Sequence, residues 1–206
     1  MNWCLVAIAI IGYFLGCLNG AIVISRIFKH EDVREKGSGN AGLTNFVRNY
    51  GGAVAVLVFV IDMGKVFIAG WLATLLCPDR VELAKMLAGV SAIIGHMFPV
   101  FFGFRGGKGI LSGGAVAIMM DWRVFVIGFF VFLLIFIFTH YVSLGSIMAA
   151  ITFVILFVII YWGQPWIYGL GTMIAVLAIY MHRGNIDRLL HGAERKTYLR
   201  KSKNKE

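Results

Sequence analysis

Residues 122–161 read WRVFVIGFFVFLLIFIFTHYVSLGSIMAAITFVILFVIIY, and Arg123 is the only Lys, Arg, Asp or Glu among them. A helix needs about 20 mostly apolar residues to span a bilayer, so this stretch is long enough for two spans. Only His140-Tyr141-Val142 separates its two halves. The stretch therefore predicts two consecutive membrane helices joined by a tight turn.

The whole chain has the same apolar character. Of its 206 residues, 60% are hydrophobic and 14% are charged, and the mean hydropathy is +0.85. Soluble domains are about 45–50% apolar, so this composition excludes a water-soluble protein. The length predicts a single domain. Three Cys residues stand at unrelated spacings, and metal-ligand and dinucleotide-binding patterns are lacking, so we expect free thiols, no metal and no cofactor.

The apolar segments predict an all-α fold, a polytopic integral membrane helical bundle of about seven spans. The fourth segment is short, and we expect a half-span or a steeply placed helix there. The candidate spans are 3–28, 51–77, 81–102, 109–120, 122–139, 143–161 and 165–181.

Basic residues predict the orientation, because Lys and Arg collect in short loops on the cytoplasmic side. With seven spans, only Arg80 and Arg123 lie in loops on the side of the N-terminus. We therefore expect the N-terminus outside, the C-terminus in the cytoplasm, a membrane-embedded domain over 1–195 and a basic tail over 196–206. The net charge of +9 then serves topology and contact with the lipid bilayer, and we expect no nucleic-acid partner. The basic residues on the predicted cytoplasmic side are Arg26, Lys29, Arg34, Lys36, Arg48, Arg105, Lys108, Arg183, Arg188, Arg195, Lys196, Arg200, Lys201, Lys203 and Lys205.

The first polar cluster, residues 36–48, reads KGSGNAGLTNFVR. A glycine turn that leads into a short helix exposes backbone N–H groups, which bind anions. Thr44 and Arg48 are four residues apart and share a helix face. Ser38 can donate a hydroxyl hydrogen bond, and Arg48 can bind two phosphate oxygens at once. The alternative is an ordinary polar turn with Arg48 at the lipid headgroups.

The second cluster, residues 95–109, reads GHMFPVFFGFRGGKG. Pro99 and the glycines break the helix near the inner surface, and such backbone is tolerated where it is buried in protein or lines a wet cavity. Lys108, between glycines, is sterically free to approach a phosphate. A P-loop is excluded, because Gly109 stands where Ser or Thr is required. His96 either orients the loop through a hydrogen bond or takes part in the chemistry.

The third cluster, residues 182–194, reads HRGNIDRLLHGAE and follows the last span directly. A basic anchor for anionic lipid would explain its arginines but not the positions of His182 and Asn185. In the seven-span topology all three clusters face the cytoplasm, so they can form one site. Within the spans, Asn19 interrupts the first, and Asp62 and Lys65 are close enough in sequence to pair. We favour a structural ion pair there, with a functional role as the alternative.

These three motifs, in this order and spacing, resemble the bacterial acyl-phosphate:glycerol-3-phosphate acyltransferases, integral membrane enzymes that start phosphatidic acid synthesis. The resemblance covers nearly the whole chain. It implies transfer of a fatty acyl group from an acyl phosphate to the sn-1 hydroxyl of glycerol 3-phosphate, giving lysophosphatidic acid and phosphate. It further implies a bacterial cell membrane location and an active site that faces the cytoplasm. The two substrates and the bilayer are the expected partners, and we expect no obligatory protein partner.

The resemblance also implies which residues form the site. We expect no metal ion in it. An essential serine and arginine, a phosphate-loop lysine, and a histidine and asparagine form the catalytic set. Arg183 is a further candidate for the positive charge that two phosphates require. The catalytic residues are Ser38, Arg48, Lys108, His182 and Asn185. The substrate-binding residues are Gly37, Gly39, Asn40, Thr44, Asn45, His96, Gly106, Gly107, Gly109 and Glu194.

Two other functions remain open from the sequence. His182 and Asp187 form the His-x4-Asp pattern of acyl-CoA-dependent acyltransferases, although those proteins differ in topology and composition. A transporter of a phosphorylated metabolite would also use intramembrane charges and a broken helix. Against a transporter, the polar clusters lie at one surface rather than at the midplane, and no repeat relates two halves of the chain.

Overall fold

The computed structural model describes residues 3–198, and within them the chain forms ten α-helices and no β-strand. The all-α prediction is therefore confirmed. The predicted tail over 196–206 falls mostly outside the described residues, and its division from 1–195 stays a prediction. The helices are α1 Trp3–Gly16, α2 Gly20–Lys29, α3 Leu43–Tyr50, α4 Gly52–Leu76, α5 Val81–Met97, α6 Ile110–Met120, α7 Trp122–Thr139, α8 Val142–Ile160, α9 Pro165–Met181 and α10 Arg183–Leu190.

Five stretches among the described residues are long and apolar enough to cross a membrane. A sixth results if α9 and α10, which meet at a bend of 54°, form one span. Helix α6, which covers the predicted fourth segment, has only 11 residues. The chain is thus a multi-pass membrane protein, whereas the count of seven spans and the orientation of the termini stay predictions.

Helix α5 is the centre of the bundle. It packs against α1, α4, α6 and α9, while α7 packs mainly on α8 at the periphery. Helices α1 and α5 approach closely enough that a Cβ on Gly95 would collide with the backbone of Tyr13. Small residues allow such backbone contact between membrane helices, where van der Waals packing is a main source of association. This packing places the C-terminal end of α5, which carries the second motif, inside the protein.

The first predicted span, 3–28, is not one helix, because α1 ends at Gly16 and α2 begins at Gly20. Asn19 causes the restart, since its Oδ1 accepts the Ile22 N–H at 3.1 Å. Lys65 of α4 donates to the carbonyl oxygens of Gly16 at 3.2 Å and Leu18 at 3.0 Å. The break therefore exposes no unpaired carbonyl at these two residues to the apolar interior.

Asp62 and Lys65 form the predicted pair, with their charged atoms 2.8 Å apart and side chains only 1% and 2% exposed. Asp62 Oδ1 also accepts the N–H of Gly20 at 3.0 Å, the first residue of α2. Lys65 Nζ further lies 2.8 Å from Nδ1 of His96 on α5. One buried ion pair thus connects α1, α2, α4 and α5.

Substitution of Lys65 by Met should lower the free energy of unfolding by about 3–5 kcal/mol, because it leaves the buried Asp62 carboxylate without its counter-charge. Thermal unfolding of the purified protein in detergent measures the change. Lys29→Met, at an exposed position at the end of α2, is the matched control. Equal melting temperatures for the two variants would contradict the role given to the pair.

Candidate active site

A single cavity of about 660 Å³ connects the three motifs. One end is polar and is lined by residues from the loop before α3, the loop before α6, the α9–α10 junction and the segment after α10. The other end is an apolar slot between α6, α7, α8 and α9. The slot is lined by Ile110, Leu111, Gly113, Gly114, Ala117, Val124, Phe125, Phe129, Phe132, Ala149, Ala150, Phe153, Ile174 and Ala175.

Asn45 holds the first glycine loop in place. Its side-chain amide donates to the carbonyl oxygens of Val33 and Lys36, each at 3.0 Å, and its Oδ1 accepts the Ser38 N–H at 3.0 Å. These three bonds fix the backbone of the loop on both sides of Gly37 and hold Ser38 in position. The following helix, α3, begins at Leu43, and its N-cap residue is Gly42. Because glycine has no side chain to cap the helix, the first N–H groups of α3 remain available to an anion.

Arg48 lies one turn after Thr44 on α3, and both line the cavity as their spacing predicts. The guanidinium of Arg48 donates to the hydroxyl of Thr197, in the segment after α10. Thr197 is held in turn, because its N–H donates to the carbonyl of His140 at 2.9 Å. The C-terminal segment thus crosses the polar end of the cavity from the α7–α8 turn to α3.

The glycines of the second motif have a structural role that the sequence did not predict. The N–H groups of Gly106 and Gly107 donate to the carbonyls of Met97 at 3.0 Å and His96 at 3.1 Å, at the end of α5. Neither glycine lines the cavity. They cap α5 and turn the chain back so that Lys108 projects into the polar end.

Lys108 begins a network of hydrogen bonds. Its ammonium donates to Oδ1 of Asn185, whose amide donates to Oε1 of Glu194 at 2.7 Å. Ser143 donates to the same oxygen at 2.8 Å, and Arg188 donates to Oε2 at 2.8 Å. This network orients the Asn185 amide, because a donor and an acceptor lie on its two sides.

The electrostatics of this end follow from burial and from the excess of cations. Burial, reinforced by Arg188 and Arg48, lowers the pKa of Lys108 to about 8, although Glu194 opposes the shift. Burial alone would raise the pKa of Glu194, but its hydrogen bonds to Asn185, Ser143 and Arg188 lower it. Glu194 is therefore ionised at neutral pH and only partly offsets the positive charge, while Asp62, the other carboxylate that lines the cavity, is paired with Lys65.

His182 lies at the bend between α9 and α10 and is 2% exposed. Its Nδ1 lies 2.7 Å from the carbonyl oxygen of Ala178, which can only accept, so Nδ1 carries the proton. Nε2 of the neutral ring is then a hydrogen-bond acceptor. Nε2 of His182 can accordingly accept a hydrogen bond from a hydroxyl group in the cavity.

Most of the predicted site residues line this one cavity. The residues that line it are Gly37, Ser38, Asn40, Thr44, Asn45, Arg48, His96, Lys108, Gly109, His182, Asn185 and Glu194. Three do not, namely Gly39, Gly106 and Gly107.

Arg183 lies outside the cavity as well, with its guanidinium 4.4 Å from the ring centre of Tyr180. Arg188 and Arg195 line the cavity instead. The sequence did not distinguish these arginines, because all three belong to one basic segment.

Fold and site together define a polytopic membrane protein with a cationic polar end joined to an apolar slot between helices. The family model described as glycerol-3-phosphate acyltransferase matches residues 6–192. The chain belongs to the glycerol-3-phosphate acyltransferase family.

Relatives agree over nearly their whole length. The glycerol-3-phosphate acyltransferase of Thermoanaerobacter sp. (strain X514) is 39% identical over 91% of this chain and 93% of its own. That of Syntrophomonas wolfei is 38% identical over 92% and 95%. Crystal structures of PlsY (YgiH), an integral membrane glycerol 3-phosphate acyltransferase, are also similar. The glycerol 3-phosphate form has a TM-score of 0.86 at 36% identity and covers 94% of this chain and 96% of that one. The lysophosphatidic acid form has a TM-score of 0.81 at 35% identity, covering 93% and 94%.

Proposed function

We propose that this protein transfers a fatty acyl group from an acyl phosphate to the sn-1 hydroxyl of glycerol 3-phosphate, giving lysophosphatidic acid and phosphate. The observation that carries the proposal is the shape of the cavity, whose cationic end opens into an apolar slot. The polar end suits phosphate groups and the slot suits an acyl chain. The glycerol 3-phosphate and lysophosphatidic acid forms of PlsY support the acceptor and the product.

The positive charge of the polar end matches the negative charge of the two substrates. Two phosphate-bearing substrates repel each other, so both can bind side by side only where positive charge is concentrated. Arg48, Lys108, Arg188 and Arg195 line the cavity with two carboxylates, Glu194 and Asp62, and Asp62 is already paired with the buried Lys65. We propose that Arg48 and Lys108 contact the phosphates, with Ser38 as a hydroxyl donor at the exposed mouth.

The proposed reaction needs no covalent enzyme intermediate, because an acyl phosphate is a mixed anhydride with a good leaving group. The sn-1 oxygen forms a bond to the carbonyl carbon, and the bond from that carbon to the phosphate oxygen breaks. The hydroxyl proton ends on the departing phosphate. His182 Nε2 is the proposed first acceptor of that proton, and direct transfer to the donor's phosphate is the alternative. In both routes the protein contributes mainly orientation and charge.

We further propose that the protein resides in the bacterial cell membrane with this site facing the cytoplasm, as the distribution of basic residues favours. Cysteine placed at His191, in a variant lacking the three native thiols, should react with a membrane-impermeant reagent only in opened cells. Labelling in intact cells would contradict the orientation.

The direct test of the function is an assay of purified protein with palmitoyl phosphate and labelled glycerol 3-phosphate. Lysophosphatidic acid should form with this donor and not with palmitoyl-CoA. Product formation from the thioester alone would overturn the proposed donor. Movement of label across vesicles without any donor would instead indicate a transporter.

Replacement of Arg48 by Lys should raise the KM for glycerol 3-phosphate by about 10- to 100-fold, because Lys keeps the charge but loses the bidentate geometry. Steady-state kinetics at saturating acyl phosphate measure the change. Arg183→Lys, at the arginine outside the cavity, is the control and should leave KM unchanged. Unaltered kinetics in Arg48→Lys would remove Arg48 from the site.

Replacement of Gly107 by Ala should reduce turnover about 100-fold, since displacement of a catalytic group by about 1 Å costs that much. An added Cβ would lie 2.5 Å from the Ala41 carbonyl oxygen and 3.1 Å from His96 Cε1, so the loop that carries Lys108 must shift. Gly169→Ala, in open space on α9, is the control for insertion and expression. Normal turnover in Gly107→Ala would mean that the loop is only a connector.

The rate should depend on pH through Lys108. Its ammonium is charged below its pKa of about 8 and neutral above it, so kcat/KM for glycerol 3-phosphate should fall as pH rises through 8. In Lys108→Arg the guanidinium stays protonated. The kcat/KM of this variant, expressed relative to its own value at pH 7, should therefore not decline. A decline of the same midpoint in Lys108→Arg would assign the titration to another group.

A further inference from the structure

His96 is a buried polar side chain whose role is not explained by the reaction as described above. It is 3% exposed, it lies near the end of α5, and it lines the cavity. Every hydrogen bond or ion pair that the structure gives its ring, within residues 3–198, involves Nδ1. The other nitrogen, Nε2, is therefore available to a ligand.

The neighbours of Nδ1 determine which nitrogen carries the proton. Lys65 Nζ lies 2.8 Å away, and an ammonium can only donate. The side-chain amide of Asn19 lies 3.4 Å away and also presents its NH2 group, because Asn19 Oδ1 already accepts the Ile22 N–H. With donors facing Nδ1, that nitrogen must accept, and the proton of the neutral ring is on Nε2.

Asp62 is the group that could favour the opposite tautomer, because its Oδ1 lies 3.4 Å from Nδ1. That oxygen already accepts from Lys65 at 2.8 Å and from the Gly20 N–H at 3.0 Å. The closer contact of Nδ1 is with the ammonium. The carboxylate therefore acts on the ring through Lys65, which it holds in place.

Nε2 faces the second motif. A Cβ added to Gly107 would collide with Nε2, so this nitrogen lies directly beside the loop that carries Lys108. Among the described residues, no fully buried side-chain nitrogen or oxygen lacks a partner, which agrees with Nε2 reaching the cavity. The Nε2–H bond can therefore be used by an anion bound near Lys108.

We propose that Asp62 and Lys65 are positioning residues that hold His96 as a neutral Nε2–H donor to a substrate phosphate oxygen. The identity of the phosphate rests on the proposed function, and it belongs either to the acyl phosphate or to glycerol 3-phosphate. The two cavity histidines then have opposite tautomers. His182 presents an acceptor at Nε2, and His96 presents a donor at Nε2.

Two substitutions of His96 distinguish a role in substrate binding from a purely structural role. The side-chain oxygen of Asn stands as many bonds from Cα as Nδ1, so His96→Asn keeps an acceptor for Lys65 but loses the distal donor. The amide nitrogen of Gln stands as many bonds from Cα as Nε2, so His96→Gln keeps the donor. Lys65 retains three acceptors in His96→Gln, namely Asp62 and the carbonyls of Gly16 and Leu18. Both variants should therefore insert and fold.

We expect His96→Asn to raise the KM of one substrate by about 10- to 100-fold, the usual effect of losing a hydrogen bond to a charged group. His96→Gln should restore that KM to within about threefold. The substrate whose KM changes identifies the phosphate. Unchanged KM values for both substrates in His96→Asn, or no rescue by His96→Gln, would overturn the proposal. His96 would then have only a structural role.

Nitrogen NMR of the wild-type protein labelled with 15N-histidine tests the tautomer without turnover. The spectra of His96→Asn assign the signal, which should report a protonated Nε2 and an unprotonated Nδ1. The reverse tautomer would overturn the inference. This outcome is independent of the proposed function, whose failure would appear instead as the absence of lysophosphatidic acid in the wild-type assay.

Discussion

Backbone polar groups that are freed by a broken helix cannot be left unpaired in the apolar interior of a membrane, and this site contains two such breaks close together. Lys65 satisfies the carbonyls freed at Gly16 and Leu18. Gly106 and Gly107 satisfy those at the end of α5. Because each break is closed by a specific partner, the loops that follow have defined positions. The rigidity of the polar end thus originates in the pairing of backbone groups several residues away from it.

The same structure concentrates positive charge where little compensates it. Lys108 donates to a neutral amide rather than to a carboxylate. Both carboxylate oxygens of Glu194 already accept hydrogen bonds, from Asn185, Ser143 and Arg188. Burial in the first place, and then the neighbouring Arg188 and Arg48, depress the pKa of Lys108, so its charged form is less stable there than in water. A bound phosphate would reverse that penalty.

Composition and motif spacing predicted the helical class and the set of residues that converge, because hydropathy and glycine placement are local properties. Asn19 marks the interruption of 3–28 in the sequence, but the groups that pair with the freed carbonyls there, and the function of Gly106 and Gly107, were not predicted. The hydrogen-bond partners of a loop depend on residues far away in sequence. The sequence also names Arg183 as a candidate for the positive charge, whereas Arg188 lines the cavity. Both lie on α10, five residues apart and therefore about 140° apart around the helix, so only one of them can face the cavity. A tautomer is still less accessible from sequence, because it depends on individual neighbouring atoms.

Electrostatics also bear on the choice of donor under the proposed reaction. The carbonyl must lie between the apolar slot and the cations, since the acyl chain and the charge occupy opposite ends of one cavity. An acyl phosphate attaches its charged phosphate to the carbonyl carbon through a single bridging oxygen, where Arg48 and Lys108 can neutralise the charge. A thioester carries no charge at that position, so its binding would leave half-buried cations desolvated and unpaired, which is unfavourable. Discrimination against the thioester then needs no steric barrier, because it follows from where the charge of the leaving group lies.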